Sequence, residues 1–242
     1  MSKIQQLNDT NTIWCFVSEP NVTFDKRLFD LEWAQEQGVV TGKPEAGRGN
    51  THFLTIDGTD FVLREYLRGG MVSRVNQRNY IWQGLEHTRA YKELQMLNTC
   101  IGKGLPVPAG YACKVVRNGM FYTASLITYK LDGVTMAQKL EAGLTSGQWQ
   151  NIGSVIAQFH AQGIWHADLN AHNILINENN AVAVIDFDRA REHSPFAPPM
   201  DANINRLQRS VAKEARLHNY SVDNDGWAAL LNAYQEGKSN AK

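Results

Sequence analysis

A chain of 242 residues can bury one full core or two lobes sharing a cleft, and 43% hydrophobic with 20% charged residues describes an ordinary globular protein. Its 24 basic and 24 acidic side chains cancel, so no global field attracts nucleic acid, which leaves only local basic clusters to consider. Three cysteines (Cys15, Cys100, Cys113), odd in number and without a CxxC pair, predict reduced thiols in a cytosolic compartment rather than a disulfide framework. No apolar run approaches the roughly 18 residues of a membrane span, and the N-terminal segment lacks the apolar stretch and cleavage site of a leader, so membrane work is expected from the surface only.

In chain order, residues 20–46 mix Phe24, Phe29 and Trp33 with Lys26, Arg27 and Asp30, which is compatible with a short amphipathic helix. Residues 41–50 are too rich in glycine and proline for a regular element and read as a loop. Thr51 to Ile56 and Phe61 to Tyr66 are strand-like runs around Asp57-Gly58, a hairpin signal. A helix over 88–98 follows, with Tyr91, Leu94 and Leu97 on one stripe, then a strand pair, 111–116 and 121–129, around Asn118-Gly119. Further on, Trp149, Ile152, Ile156 and Phe159 share one face of a helix over 148–160 that Gly163 ends. Short strands at 174–176 and 181–185 flank a turn at Glu178-Asn179-Asn180, and a helix over 202–217 is expected to close the chain. The fold class is therefore α+β, with a small antiparallel-sheet lobe over 1–131 and a mainly helical lobe over 132–242.

The chemistry concentrates between these strands. Asp168 and Asn173 stand five residues apart in His166-Ala167-Asp168-Leu169-Asn170-Ala171-His172-Asn173, and Asp186 ends an apolar strand 13 residues later. A hairpin of that length brings Asp186 back over the loop. Phosphoryl transfer asks a protein mainly for positioning and charge neutralisation, and Asn173 and Asp186 offer the hard oxygens that Mg²⁺ prefers. Asp168 remains to accept the proton of an acceptor hydroxyl. A lone Asp or Asn here would read as turn chemistry; the combined H-x-D-L-x-x-x-N and strand-Asp-Phe pattern reads as a kinase using ATP and Mg²⁺. His166 is expected to brace the loop, and His160 and His172 lack metal-ligand spacing.

Gly47-Arg48-Gly49 precedes a hairpin, where a loop covering the phosphates of ATP belongs. Arg64 ends a strand at the place where protein kinases carry a phosphate-gripping lysine, and Glu93 on the next helix is its expected ion-pair partner. Ala167 replaces the arginine that reads a phosphorylated loop, no Ala-Pro-Glu follows Asp186, and the remaining chain is short for a peptide-docking platform, so a small-molecule acceptor is expected.

These residues carry a resemblance that runs over most of the length. Gly47-Arg48-Gly49, Leu63-Arg64-x-Tyr66-x-Arg68-Gly69-Gly70, Gly104-Leu105-Pro106-Val107-Pro108, the run from His166 to Leu175, and Ile185-Asp186-Phe187-Asp188-Arg189 resemble the 3-deoxy-D-manno-octulosonic acid (Kdo) kinases of Gram-negative lipopolysaccharide synthesis, a group with a protein-kinase-like bilobal fold. The resemblance implies transfer of the ATP γ-phosphate to the 4-hydroxyl of Kdo on a lipid A precursor at the cytoplasmic face of the inner membrane, with Asp168 as base and Asn173 and Asp186 holding Mg²⁺. Composition and spacing alone leave a heptose kinase or an aminoglycoside-type phosphotransferase open. The cluster Arg64, Arg68, Arg74 and Arg78 favours an anionic acceptor over a cationic one. Peripheral membrane contact is expected through the basic run from Arg68 to Arg78 and the aromatics Phe24, Phe29 and Trp33, and no obligate protein partner is indicated.

Overall fold

A computed structural model describes residues 2–18, 23–43, 50–66 and 80–241. The Gly47-Arg48-Gly49 loop and Arg68, Arg74 and Arg78 lie outside the described residues. The chain forms two compact units, Met1–Gly102 with Pro108–Lys130, and Lys103–Val107 with Leu131–Lys242.

The first unit is built on an antiparallel sheet. Its strands and helices are β1 (Ile4–Asp9), β2 (Thr12–Val17), α1 (Leu31–Glu36), β3 (Val40–Gly42), β4 (Thr51–Ile56), β5 (Thr59–Glu65), β6 (Tyr80–Ile81), α2 (Arg89–Gly102), β7 (Gly110–Asn118) and β8 (Phe121–Tyr129). The order is β1-β2-β7-β8-β5-β4-β3, with β6 paired to β8. Ile56 faces Thr59 across the Asp57-Gly58 turn, whose two residues hold φ of 50° and 75°, the twist that a two-residue hairpin needs. The sheet is larger than the sequence indicates. β1 is an edge strand with every residue after Ile4 exposed, so it carries no apolar alternation to read.

Leu54, Phe61, Leu63, Tyr111, Ala112 and Ile127 form the core of this unit with Leu28, Phe29 and Ala34. Phe24 stacks on Phe16 with ring centroids 4.6 Å apart, and Trp33 packs against the same core. Of the aromatics expected to touch a membrane, Phe29 is buried and Phe24 and Trp33 are half-buried against this core. Cys15 and Cys113 face each other across β2 and β7, and all three cysteines are buried and free.

The second unit is mainly helical: β9 (Val134–Thr135), α3 (Met136–Leu140), α4 (Ser146–Ala161), β10 (Ile164–Trp165), β11 (Ile174–Ile176), β12 (Val182–Val184), β13 (Arg191–Glu192), α5 (Pro198–His218) and α6 (Asn224–Asn240). Reciprocal capping boxes start α3 (Thr135 with Gln138) and α4 (Thr145 with Gln148). α5 begins at Pro198, earlier than the expected 202, because proline in the first turn surrenders only an N–H that has no helical partner. Nor does α5 close the chain. Asn219 stops it in a left-handed conformation (φ 55°), and α6 returns along α4. The two lie so close that a Cβ on Gly153 would fall 2.1 Å from the Leu230 carbonyl oxygen. Trp149 meets Trp227 edge-on at 6.3 Å and donates its indole N–H to Asp223 (2.9 Å). Among the described residues, no helix is long and apolar enough to cross a membrane.

Candidate active site

The loop from His166 to Asn173 is set between β10 and β11 by what it buries. Leu169, Ala171 and Ile174 are almost wholly enclosed and Asn173 is buried with them, while His172 is exposed and the Asp168 side chain is 57% exposed. Gly163 makes the entry possible: its φ is 74°, and a Cβ there would lie 2.2 Å from the His193 carbonyl oxygen. At the exit, the Asn170 side chain accepts the His172 N–H (2.8 Å) and caps a single tight turn over Ala171–Asn173.

The β11–β12 hairpin then fixes Asp186. Ile174 pairs with Val184, and the Ile185 N–H donates to the Asn173 carbonyl (2.9 Å), so Asp186 emerges next to Asn173. Asp186 has φ of 64°, an unfavourable conformation for a residue with a Cβ. Its neighbours on both sides hold it there. Ile185 is in the hairpin, and Phe187, 1% exposed, stacks on Phe159 (5.6 Å) and meets the His166 ring edge-on (4.9 Å).

His166 ties the two segments together. Its Nδ1 accepts the Asp168 backbone N–H (3.1 Å) and its Nε2 lies 3.0 Å from the Ile185 carbonyl oxygen. Those partners require the neutral tautomer protonated on Nε2. Burial pushes the His166 pKa down, with the Ile185 carbonyl opposing, which favours the neutral ring. His160 lies in the core between Tyr234 (2.9 Å) and Asn203 (3.1 Å), and His172 meets Glu214 (3.1 Å).

The sequence gives no hint that α5 braces this loop, yet it does so about once per turn. Asn203 accepts the His166 N–H (3.3 Å) and donates to the His166 carbonyl (2.6 Å). Arg206 forms an ion pair with Asp168, Ser210 accepts the Ala171 N–H (3.1 Å), and Glu214 takes His172. Positions 203, 206, 210 and 214 follow the helical period, but they are polar, so a search for apolar stripes passes over them.

Asn173 and Asp186 suit a magnesium ion by donor type. The Asn173 Nδ2 donates to the Asp168 carbonyl (3.0 Å), which leaves the amide oxygen as its ligating end. An amide oxygen and a carboxylate are hard donors, and Mg²⁺ characteristically takes one or two such groups and completes its shell with phosphate oxygens and water. No cluster of three or more His, Cys, Asp or Glu able to hold a metal without such help occurs among the described residues.

In the first unit, Arg64 on β5 and Glu93 on α2 meet in an ion pair, and the Tyr66 hydroxyl also bonds the Glu93 carboxylate. Glu93 is 3% exposed, so its charge depends on these partners. Burial, and then the negative field of Glu93, push the Tyr66 pKa well up, which keeps the phenol a donor. The Arg64 guanidinium also lies 5.1 Å from the centre of the Tyr66 ring. Tyr66 has no assigned role in the sequence reading; its place two residues after Arg64, on the same face of the strand, is the signal that could have found it.

Known proteins resemble this chain over most of its length. A 3-deoxy-D-manno-octulosonic acid kinase of Vibrio parahaemolyticus is 38% identical over 217 residues, covering 87% of this chain and 89% of that protein. A protein of the same name from Xylella fastidiosa is 38% identical over 202 residues, covering 81% of each chain. Among solved structures, a 2.2 Å crystal structure of WbdD aligns with a TM-score of 0.47 at 15% identity, covering 83% of this chain and 46% of that one, so this chain spans about half of that structure. The family model for lipopolysaccharide kinases matches residues 31–234, which takes in β4, β5, α2, the loop around Asp168 and all of α5. By that match and by its relatives, the chain belongs to the lipopolysaccharide kinase (Kdo/WaaP) family.

Proposed function

We propose that this protein transfers the γ-phosphoryl group of ATP to the 4-hydroxyl of Kdo on a lipid A precursor, working peripherally at the anionic cytoplasmic face of the inner membrane. The observation that carries the reading is the frame around Asp168. An exposed carboxylate is held by its own backbone N–H to a neutral, buried histidine that also grips the strand leading to Asp186. A base that must meet an incoming hydroxyl needs a fixed backbone and an accessible oxygen, and Asp168 has both. The names of the relatives supply the acceptor.

In this reading the acceptor oxygen attacks the γ-phosphorus and the bond to the bridging oxygen of ADP breaks. The hydroxyl proton passes to Asp168 and then to solvent. Arg64, aligned by Glu93 and Tyr66, presents its charge to the nucleotide phosphates, and the Gly47-Arg48-Gly49 loop covers them. Asn173 and Asp186 would hold Mg²⁺, which supplies neutralisation of charge on the phosphate oxygens. Arg68, Arg74 and Arg78 contribute charge toward an anionic substrate or membrane surface.

ATP turnover measured with a Kdo-bearing lipid A precursor, with a heptose-terminated acceptor and with kanamycin tests the proposal. Turnover should require the Kdo lipid. Equal or faster reaction with heptose or kanamycin would assign another acceptor.

A further inference from the structure

Beside the face of α5 that braces the loop runs a second stripe. Arg206, Arg209, Lys213 and Arg216 recur at intervals of three or four residues, which confines them to roughly 80° of the helix circumference over about 15 Å. All four are exposed. Apart from the pairing of Arg206 with Asp168, no ion-pair partner meets them among the described residues. The two acids of α5 leave the stripe unneutralised. Asp201 points away from it and lies 3.9 Å from Lys238, and the buried Glu214 is shared by His172 and His218. In a chain of zero net charge, a straight track of four cations that starts at Asp168 is a local concentration of positive potential.

We infer that this stripe is the acceptor-docking track: Arg209, Lys213 and Arg216 bind phosphate groups of the acceptor glycolipid, and Arg206 aligns its reacting end beside Asp168. The inference rests on the reading of Asp168 as the proton acceptor given above. Its additional content is which residues recognise the acceptor, and that they do so by charge at a distance from the reacting hydroxyl. Arg206 forms the junction. Its side chain is 47% exposed, with one Nη on the carboxylate and the other donors of the guanidinium fork available to an anion. A track on the rigid face of a long helix fixes where the acceptor's charged groups sit, and therefore which hydroxyl arrives at the carboxylate.

The test uses the triple variant Arg209→Ser, Lys213→Ser, Arg216→Ser, which leaves Arg206 in place and alters only exposed positions. The probes are a phosphorylated Kdo-bearing lipid A precursor in neutral detergent micelles and the same acceptor stripped of its lipid phosphates. Exposed ion pairs each contribute a factor of about two to five, so KM for the phosphorylated acceptor should rise between about 10- and 100-fold, with kcat falling much less. KM for the stripped acceptor should hardly change. The charge-preserving variant Arg209→Lys, Lys213→Arg, Arg216→Lys should restore KM to within about twofold, which a merely structural role for these residues would not require. A control lacking Lys3 and Lys92, exposed cations of the first unit, should match wild type.

An unchanged KM, or an equal rise for both acceptors, overturns the inference. So does a triple variant that keeps its KM in micelles but no longer binds phosphatidylglycerol vesicles free of acceptor, because the stripe is then a membrane contact. If Asp168→Ala is inactive while the triple variant is kinetically silent, the docking track fails and the catalytic reading stands. An active Asp168→Ala overturns the catalytic reading, and the track with it.

Discussion

Asn203→Ala removes a side chain of α5 that makes three hydrogen bonds, two of them to the loop around Asp168. The amide is 2% exposed and serves three buried partners: the His166 N–H, the His166 carbonyl and the His160 ring. Each buried group left without a partner costs about 1–3 kcal/mol. A water entering the space vacated by the amide would recover part of this, so the net loss should be about 3–4 kcal/mol, a large share of the roughly 5–15 kcal/mol that stabilises a folded domain. The effect on catalysis should be separable from stability. Freed from Asn203, the His166 backbone no longer fixes the ring that holds the Asp168 N–H, and kcat should fall by about 10- to 100-fold at temperatures where the variant is fully folded. Urea unfolding followed by near-ultraviolet circular dichroism and by tryptophan emission reads the first effect. Steady-state turnover at saturating ATP reads the second. A variant within about 0.5 kcal/mol of wild type, with unaltered kcat, would refute the view that α5 braces the loop through this residue.

Three further outcomes follow from the same geometry. Asp168→Ala should lower turnover by about 10²–10⁴-fold while ATP affinity, read by calorimetry, stays close to wild type; near-normal turnover would remove Asp168 from the proton-accepting role. Asp186→Ala should weaken ATP binding in the presence of Mg²⁺ and leave metal-free nucleotide binding little changed, so equal Mg²⁺-dependent affinity in both proteins would reject a ligand role. Stability should fall with acid in a defined window. Burial lowers the His160 pKa to about 4 from an unfolded value near 6.5, so between those values the unfolded chain takes up a proton that the folded one refuses. This contribution is fully present above about pH 6.5 and should decline by about 2 kcal/mol on reaching pH 5, with His166, also lowered by burial, adding in the same direction. Urea midpoints measured from pH 7.5 to 5 check the slope, and a profile as steep in His160→Gln would show that other groups set it.

Where structure departs from sequence, the reason is physical in each case. β1 is exposed along an edge, so its composition has no face to advertise. α6 packs on α4 where Gly153 meets the Leu230 backbone and Gly237 meets Ala157, and close approach of backbones needs small side chains that leave little trace in an apolar periodicity. Leu28 and Phe29 stand beside charges in the chain yet are buried, because a 3₁₀ turn over Lys26–Phe29 directs its apolar members to the core and leaves Lys26 and Arg27 exposed.

Sequence by itself determined the α+β class, the hairpin at Asp57-Gly58, the helix and strand pair that flank the loop, and the run from His166 to Asp186. All of these rest on short-range rules: turn chemistry, capping, periodicity, and the fixed reach of a hairpin that returns Asp186 to Asn173. Only the tertiary structure decided which residues serve the loop from a distance. Asn203, Arg206, Ser210 and Glu214 come from a helix some 30 residues downstream, and Tyr66 joins Arg64 and Glu93 only because α2 packs on the sheet. A polar residue on a helix looks like ordinary surface until the fold places a backbone carbonyl, a carboxylate or a buried ring against it. Its role is a property of the partner, and the partner lies beyond the range over which local sequence carries information.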